Sequence, residues 1–189
     1  MILAVVFALV VATVPVLGGR LSRLAELRIR LGATIAASLV LQTVIISVLP
    51  SSLPFAVAAT LHLFSYALAL VFVKVNWRIV GMPVLVIGGL LNLAAIAANG
   101  GVMPARAGAL EAAGRASTEG EFINSDVQEG ARLALLGDVF AIPEPVPLAN
   151  VFSVGDVLLV VGGAVVVHRA CGSSLRRRRV PSAAQAPTA

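Results

Sequence analysis

The sequence has 189 residues, of which 59% are hydrophobic and 12% are charged, and its formal net charge is +5. A soluble domain is about a quarter charged, because it needs polar surface to stay dissolved. This chain has too little polar surface for that, which excludes an ordinary soluble enzyme and indicates a protein whose main solvent is lipid. The basic balance does not indicate nucleic-acid binding, because the arginines stand beside apolar segments, where they act as membrane-orientation signals.

Few residues are suited to metal or redox chemistry. The single cysteine, Cys171, excludes an internal disulfide framework and a multi-cysteine metal site. The two histidines, His62 and His168, stand too far apart in sequence to predict a histidine cluster. We therefore expect no metal and no cofactor. Cys171 follows the last apolar segment, a position open to palmitoylation, although an unmodified thiol is the simpler expectation.

Five apolar segments follow one another, each close to the length of about 20 residues that crosses a bilayer as a helix. Basic residues follow the first segment rather than precede it, the reverse of a cleavable signal peptide, so we expect a retained helix. The sequence thus predicts an all-α fold, a polytopic membrane helix bundle over residues 1–170. The five spans lie near residues 2–17, 32–49, 55–73, 79–98 and 151–167, and an extracytoplasmic loop region covers residues 99–150.

The basic residues predict the orientation of this bundle, because Lys and Arg concentrate on the cytoplasmic side of a membrane. With five alternating spans, eleven cations fall on one side and three, Arg106, Arg115 and Arg132, on the other. We therefore expect a multi-pass cell-membrane protein with its N-terminus outside and its C-terminus in the cytoplasm. The eleven are Arg20, Arg23, Arg28, Arg30, Lys74, Arg78, Arg169, Arg176, Arg177, Arg178 and Arg179.

Residues 171–189 are predicted to form a basic cytoplasmic tail that ends in disorder, because Val180 to Ala189 are mainly Pro, Ala, Ser and Gln. The run from Arg176 to Arg179 could touch anionic lipid head groups. A plain orientation signal is the simpler interpretation of this run. The lipid bilayer is the partner that the sequence predicts, and the residues point to no particular protein partner.

The loop region from residue 99 to 150 is the least ordinary part of the chain, and it holds most of the acidic residues. Its glycines at 100 and 101 predict a sharp exit from the fourth helix, and Pro104 is suited to open a short helix through Ala113. Prolines at positions 143, 145 and 147 forbid a regular helix and predict an extended connector. The connector would return the chain to the fifth span.

Three motifs together resemble a bacterial family of uncharacterised multi-span membrane proteins. They are Asn92 with Asn99-Gly100-Gly101-x-Met103-Pro104, then Leu136-Gly137-Asp138, and finally Phe152-Ser153-x-Gly155-Asp156. The resemblance covers most of the chain apart from the tail, and it implies a multi-span fold without any particular activity.

A fainter likeness is to lipoprotein signal peptidases. Those enzymes carry one aspartate near the outer end of a helix and a second in a Phe-Asn-x-Ala-Asp step. Asp138 and the step ending at Asp156 are similar to these two, which implies catalytic roles for both. Ser153 stands where that family has Asn, Gly155 stands where it has Ala, no Arg follows Asp138, and the number of spans differs.

These patterns leave three hypotheses. No complete catalytic constellation stands in the sequence, which favours a non-catalytic accessory or interaction protein. The first alternative is a membrane-embedded aspartyl-type hydrolase, in which Asp138 and Asp156 share a proton and Asn99 orients the substrate. The simpler interpretation is that Ser153 and Asp156 form a capping box and that Asp138 is a loop acid.

The second alternative is a small transporter, because polar side chains within the spans can line a pathway. Such side chains more often make hydrogen bonds between helices. They are Gln42, Thr43, His62, Ser65, Tyr66 and Asn92. Small residues also predict that the fourth and fifth spans touch, at Gly81, Gly88, Gly89, Gly162 and Gly163.

Overall fold

The computed structural model describes residues 2–45, 54–115 and 125–174, which form mostly helices. The helices are α1 (Ile2–Val16), α2 (Gly32–Thr43), α3 (Phe55–Asn76), α4 (Met82–Ala98), α5 (Ala107–Ala112) and α6 (Val154–Cys171). Short strands also occur, namely β1 (Met103–Pro104), β2 (Ser125–Asp126), β3 (Asp138–Ile142) and β4 (Asn150–Ser153). The mostly helical fold is confirmed, whereas the all-α prediction is wrong between α4 and α6.

The five predicted spans correspond to α1, α2, α3, α4 and α6, with shifted ends. The sixth helix begins at Val154 rather than at residue 151, because the preceding residues belong to β4. The end of the predicted second span and the tail from residue 175 lie outside the described residues. Within the described part of the chain, α3 and α6 are long and apolar enough to cross a membrane, while α1, α2 and α4 are shorter apolar helices.

The long helices pack in a row in the order α1, α6, α4, α3, α2. Among the described residues, each long helix makes its extensive contacts with its neighbours in this order, and the most extensive contact is between α4 and α6. The α1 and α6 helices run parallel, because Val14 and Cys171, each near a helix C-terminus, share one apolar cluster. The α2 and α3 helices run antiparallel, with the Ser38 hydroxyl donating to the Ser65 carbonyl at 2.8 Å.

Glycines allow α4 and α6 to approach closely along antiparallel paths. A Cβ atom at Gly88 would lie 2.6 Å from the carbonyl oxygen of Gly155, and one at Gly162 would lie 2.7 Å from the Leu85 nitrogen. A Cβ atom at Gly81 would lie 2.8 Å from the Gly162 oxygen. These distances are shorter than any side chain tolerates, so the predicted contact between the two helices is confirmed at these glycines.

Two glycines of the predicted contact do not take part in it. A Cβ atom at Gly89 would meet nothing within 4 Å among the described residues. Gly163 instead faces the ring of Phe7 in α1, with 3.1 Å between the added Cβ atom and the Phe7 Cε2. The prediction failed there because one residue along a helix turns a side chain by about 100°, which moves it off the contact face.

The segment between α4 and α6 forms a cap, defined here as residues 99–115 and 125–153. Strands β1 and β2 pair in parallel, and β3 and β4 pair antiparallel. Helix α5 packs against the second pair through an apolar cluster, and Pro104 lies in β1 rather than opening that helix. The hydrogen bond from the Val146 nitrogen to the Pro143 oxygen, 2.9 Å, forms a turn, so the predicted extended connector is wrong. The Ala149 nitrogen donates to the Val146 oxygen at 3.1 Å, which forms a second turn with Pro147 at its first corner, a position that suits proline. These turns bring β3 and β4 together.

Candidate functional site

Several of the motif residues meet where α4, α6 and the cap join. Ser153 is the last residue of β4 and also the N-cap of α6. Asp138 is its partner in the β3–β4 ladder, and a bulge follows between Asp138 and Phe140. Opposed residues of an antiparallel pair lie about 5 Å apart and project to the same face, so Asp138 stands beside Ser153.

The start of α6 is closed by a capping box between Ser153 and Asp156. The Ser153 nitrogen donates to the Asp156 Oδ2 at 2.9 Å, and the Asp156 nitrogen donates to the Ser153 Oγ at 3.0 Å. These two bonds satisfy backbone donors that a helix N-terminus otherwise leaves without a partner. The sequence spacing predicted this box correctly.

Asn92 extends the capping box across to α4. Its Nδ2 donates to the Asp156 Oδ1 at 2.9 Å, and the Ser153 Oγ lies 2.9 Å from its Oδ1. Ser153 and Asn92 are both buried. We call these three residues, Asn92, Ser153 and Asp156, the polar latch. A Cβ atom at Gly155 would collide with the Asn92 Oδ1, which explains the glycine in the Phe-Ser-x-Gly-Asp step.

Asp138 is held separately from the polar latch. It is 4% exposed, and its Oδ2 accepts a hydrogen bond from the Ser125 hydroxyl in β2. The pKa of the Asp138 carboxyl is raised to about 6, mainly by burial and also by the negative charge of Asp156, although the Ser125 hydrogen bond and Arg115 oppose the rise. The charge of Asp156 thus acts on Asp138, but the two carboxylates are fixed by different hydrogen bonds.

Asn99 holds the cap to the end of α4. Its Nδ2 donates to the carbonyl oxygens of Ala95 and Arg132, both at 2.7 Å. Its Oδ1 accepts from the Arg132 nitrogen at 2.9 Å. All of these partners are backbone atoms of the protein, so the three bonds fasten the cap to α4. The substrate-orienting role of the hydrolase hypothesis stays a prediction.

The remaining motif residues shape the exit from α4. Gly100 and Gly101 have φ angles of 71° and 103°, left-handed values that favour glycine, as the sequence predicted. A Cβ atom at Gly101 would lie 2.5 Å from Ala59 of α3, so this turn also packs tightly. Met103 packs against Ala95 and Ile96 of α4. The motif therefore fixes the cap on the helices.

The polar side chains of α2 and α3 have hydrogen-bond partners within the protein. The Gln42 Nε2 donates to the Ser65 Oγ at 2.9 Å, so the prediction of hydrogen bonds between helices is confirmed for this residue and, through the polar latch, for Asn92. The Thr43 hydroxyl donates to its own helix, at the Leu39 oxygen. The His62 Nδ1 lies 3.0 Å from the Gly101 oxygen, and its ring packs at 5.6 Å from that of Tyr66.

Two further features concern metal binding and acylation. No group of three or more His, Cys, Asp or Glu side chains in residues 2–45, 54–115 and 125–174 is arranged to hold a metal ion. Cys171 is 1% exposed and packs with Val14 and Val167, which places its thiol out of reach of an acylating enzyme.

Replacing Asn92 by leucine should destabilise the protein by about 1–3 kcal/mol, because the buried Ser153 and Asp156 would lose a hydrogen-bond partner. Thermal unfolding in a mild detergent would measure the loss. Thr43→Val is the matched control, since that hydroxyl bonds within its own helix. Equal melting temperatures for Asn92→Leu and the wild type would show that the polar latch contributes nothing to stability.

The comparisons with known proteins point to a family rather than to an activity. No curated protein and no solved structure matches the chain. The likeness to lipoprotein signal peptidases therefore stays a prediction. A family model matches residues 26–168, well over half of the chain, and the protein accordingly belongs to DUF5317, a family of unknown function.

Proposed function

We propose that this protein is a multi-pass integral membrane protein of the cell membrane with a non-catalytic, accessory role, which presents the cap on the outer side. The polarity of its helices carries this proposal. Polar side chains lie in the helix interior, namely Ser38, His62, Ser65 and Asn92. Large apolar side chains point outward from the same helices, namely Phe7, Leu9, Leu39, Val40, Phe64, Ile87, Leu90, Val157 and Val161. A helix bundle in water has the opposite arrangement, whereas lipid suits this one.

The two ends of the helix row differ in charge, which supports five alternating crossings. The basic end, formed by residues 17–31, 74–81 and 169–174, carries seven described cations and one acid, Glu26. The cap at the other end carries three cations and most of the acids. Parallel packing of α1 with α6 is what alternation requires of a first and a fifth span. The positive-inside rule then favours an outer N-terminus.

The proposed non-catalytic role rests on the hydrogen bonds that the two aspartates and Ser153 make. Both oxygens of Asp156 accept hydrogen bonds within the polar latch, and Ser153 is fully buried. A proton-sharing pair of carboxylates would need a common hydrogen bond or water between them. The separate partners of Asp138 and Asp156 favour a structural role for both.

Topology can be tested with the full chain in a Cys171→Ser background. Gly108→Cys places a thiol on the exposed side of α5 in the cap, and Ser22→Cys places one at the basic end. A membrane-impermeant maleimide should label Gly108→Cys in intact cells, and Ser22→Cys after lysis. Labelling of Ser22→Cys in intact cells, or release of the chain from membranes by alkaline carbonate, would contradict the proposal.

A membrane-embedded hydrolase is the second candidate, favoured by one observation. The buried carboxyl of Asp138 lies within electrostatic range of Asp156, and burial keeps its pKa near 6, a value suited to acid–base work. The purified protein can be tested against a library of quenched fluorescent peptides in proteoliposomes. Cleavage that Asp138→Asn and Asp156→Asn each abolish would establish this candidate and overturn the accessory role.

A further inference from the structure

The connection between α1 and α2 forms a strap, defined here as residues 20–31, across the basic end of the helix row. At its start the Arg20 nitrogen donates to the Cys171 oxygen of α6 at 3.0 Å. At its end the Arg30 nitrogen donates to the Asn76 Oδ1 of α3 at 2.9 Å, and the Asn76 Nδ2 donates back to the Arg30 oxygen at 2.8 Å. Since α4 lies between α6 and α3 in the row, the strap passes from one side of α4 to the other.

The strap is amphipathic, and its apolar side chains divide into two groups. Leu24 packs inward, against the cluster that Val14 and Cys171 share. Three others point away from the protein, and they are Leu21, Ile29 and Leu31, which are 43%, 51% and 54% exposed. The strap is thus held to the bundle by Leu24 and by the hydrogen bonds at its two ends, and it displays Leu21, Ile29 and Leu31.

Four exposed arginines stand among these displayed side chains, with Glu26 as the acid of the segment. They are Arg20, Arg23, Arg28 and Arg30. Single exposed apolar residues are normal on soluble proteins, whereas several large ones grouped together mark an interaction surface. Basic and apolar side chains presented together are typical of a segment that lies in the interface plane of a membrane.

The backbone at the end of the strap is also unusual. Leu31 has a φ angle of 51°, a left-handed value at which glycine is far more favourable than leucine. Trp77, directly after the residue that holds Arg30, is 54% exposed. Tryptophan is enriched at membrane–water interfaces, so its position marks the depth at which the strap lies.

We propose that the strap binds anionic phospholipid head groups at the cytoplasmic face of the bilayer, an inference that rests on the proposed membrane location. The planar arginine guanidinium groups would bind lipid phosphates, since two phosphate oxygens can accept two parallel hydrogen bonds from one guanidinium. The displayed side chains, Leu21, Ile29 and Leu31, would insert at the boundary between head groups and acyl chains. Such insertion gives the strained leucine a role that glycine could not fill.

The test uses Trp77 as a natural probe, since it is the single tryptophan of the chain. The full chain is placed in nanodiscs of phosphatidylcholine with a minority of phosphatidylglycerol, and one or the other lipid carries brominated acyl chains that quench tryptophan fluorescence. Brominated phosphatidylglycerol should quench Trp77 more strongly than its mole fraction predicts. Added inorganic phosphate should not reverse the excess, because a head group rather than free phosphate is bound.

Substitution of the arginines should remove this excess. Each Arg→Gln change at positions 20, 23, 28 or 30 should weaken the anionic-lipid preference by about fivefold. Folding should survive Arg30→Gln, because its links to Asn76 run through the backbone. Leu31→Gly relieves the left-handed strain, so it should not lower the melting temperature, but it should reduce the anionic-lipid preference. Arg106→Gln, in the cap at the other end, is the control and should change nothing.

The outcomes separate this inference from the proposed function. Quenching by both brominated lipids in proportion to their mole fractions would place Trp77 in the membrane and overturn the inference alone. Excess quenching by brominated phosphatidylglycerol that persists in all the strap variants would also overturn the inference. Excess quenching that inorganic phosphate abolishes would overturn it as well. No quenching by either lipid would place Trp77 outside the bilayer and contradict the membrane location itself.

Discussion

Gly88→Leu should lower the stability of the protein by about 3 kcal/mol or more, whereas Gly89→Leu should leave it nearly unchanged. At Gly88 the first added atom already lies 2.6 Å from the carbonyl oxygen of Gly155, and 3.0 Å from the Leu159 nitrogen. These neighbours are backbone atoms, so no side-chain rotation can make room. The two helices would have to separate, which removes packing along their whole contact.

The adjacent glycine is the matched control for this change. Gly89 lies on the same helix and would gain the same helix propensity on conversion to leucine, but nothing of the described protein lies within 4 Å of the new Cβ atom. Thermal unfolding of both variants and of Gly88→Ala in one detergent would measure the difference. A Gly88→Leu variant as stable as Gly89→Leu would show that α4 and α6 do not touch there.

Separation of the helices at Gly88 should also disturb the polar latch. Asn92 lies one turn further along α4, on the same face, and reaches Asp156 of α6. A wider gap would lengthen that hydrogen bond, so the effects of Gly88→Ala and Asn92→Leu should not add. The close approach of the helix backbones and the buried hydrogen bonds are therefore one structural unit.

The helices were predictable from the sequence, because long apolar runs bounded by turns and basic residues leave few alternatives. The cap was predicted less well. Its strands are only two to five residues long, and the prolines at 143–147 taken alone predict an extended connector rather than turns. Short runs containing Val, Phe and Ile, at residues 138–142 and 150–153, stand on either side of those prolines, and two such runs separated by turn residues are a hairpin signal.

The candidate site was predictable where it depends on local spacing. Ser153 and Asp156 stand three residues apart, and that distance alone predicted the capping box. The contact of Asn92 with Asp156 joins residues 64 positions apart, and it depends on the register of α4 against α6. The burial of Asp138 depends likewise on the strand pairing and its bulge. The local sequence determines neither of these registers, so it did not predict that the two carboxylates would have separate hydrogen-bond partners.

Asp138→Asn should stabilise the protein at pH 8 and have little effect at pH 4. Burial, with the repulsion from Asp156, raises the pKa of Asp138 from 3.8 to about 6 in the folded protein. Proton binding by Asp138 therefore favours folding. The stability that wild-type Asp138 gains from binding a proton is fully present below pH 3.8 and is lost as the pH rises through about 6. Asparagine carries no charge and keeps an oxygen that can accept from the Ser125 hydroxyl.

The expected gain at pH 8 is at most about 3 kcal/mol, since one pKa unit corresponds to about 1.4 kcal/mol. Melting temperatures of Asp138→Asn and the wild type at pH 4, 6 and 8 would measure it, with Glu129→Gln as the control because that acid is exposed in the same cap. A gain independent of pH would mean that the charge of Asp138 is not its cause. A loss at pH 8 would mean that ionised Asp138 makes a favourable contact, and the carboxylate would then have a role beyond that of a buried acid.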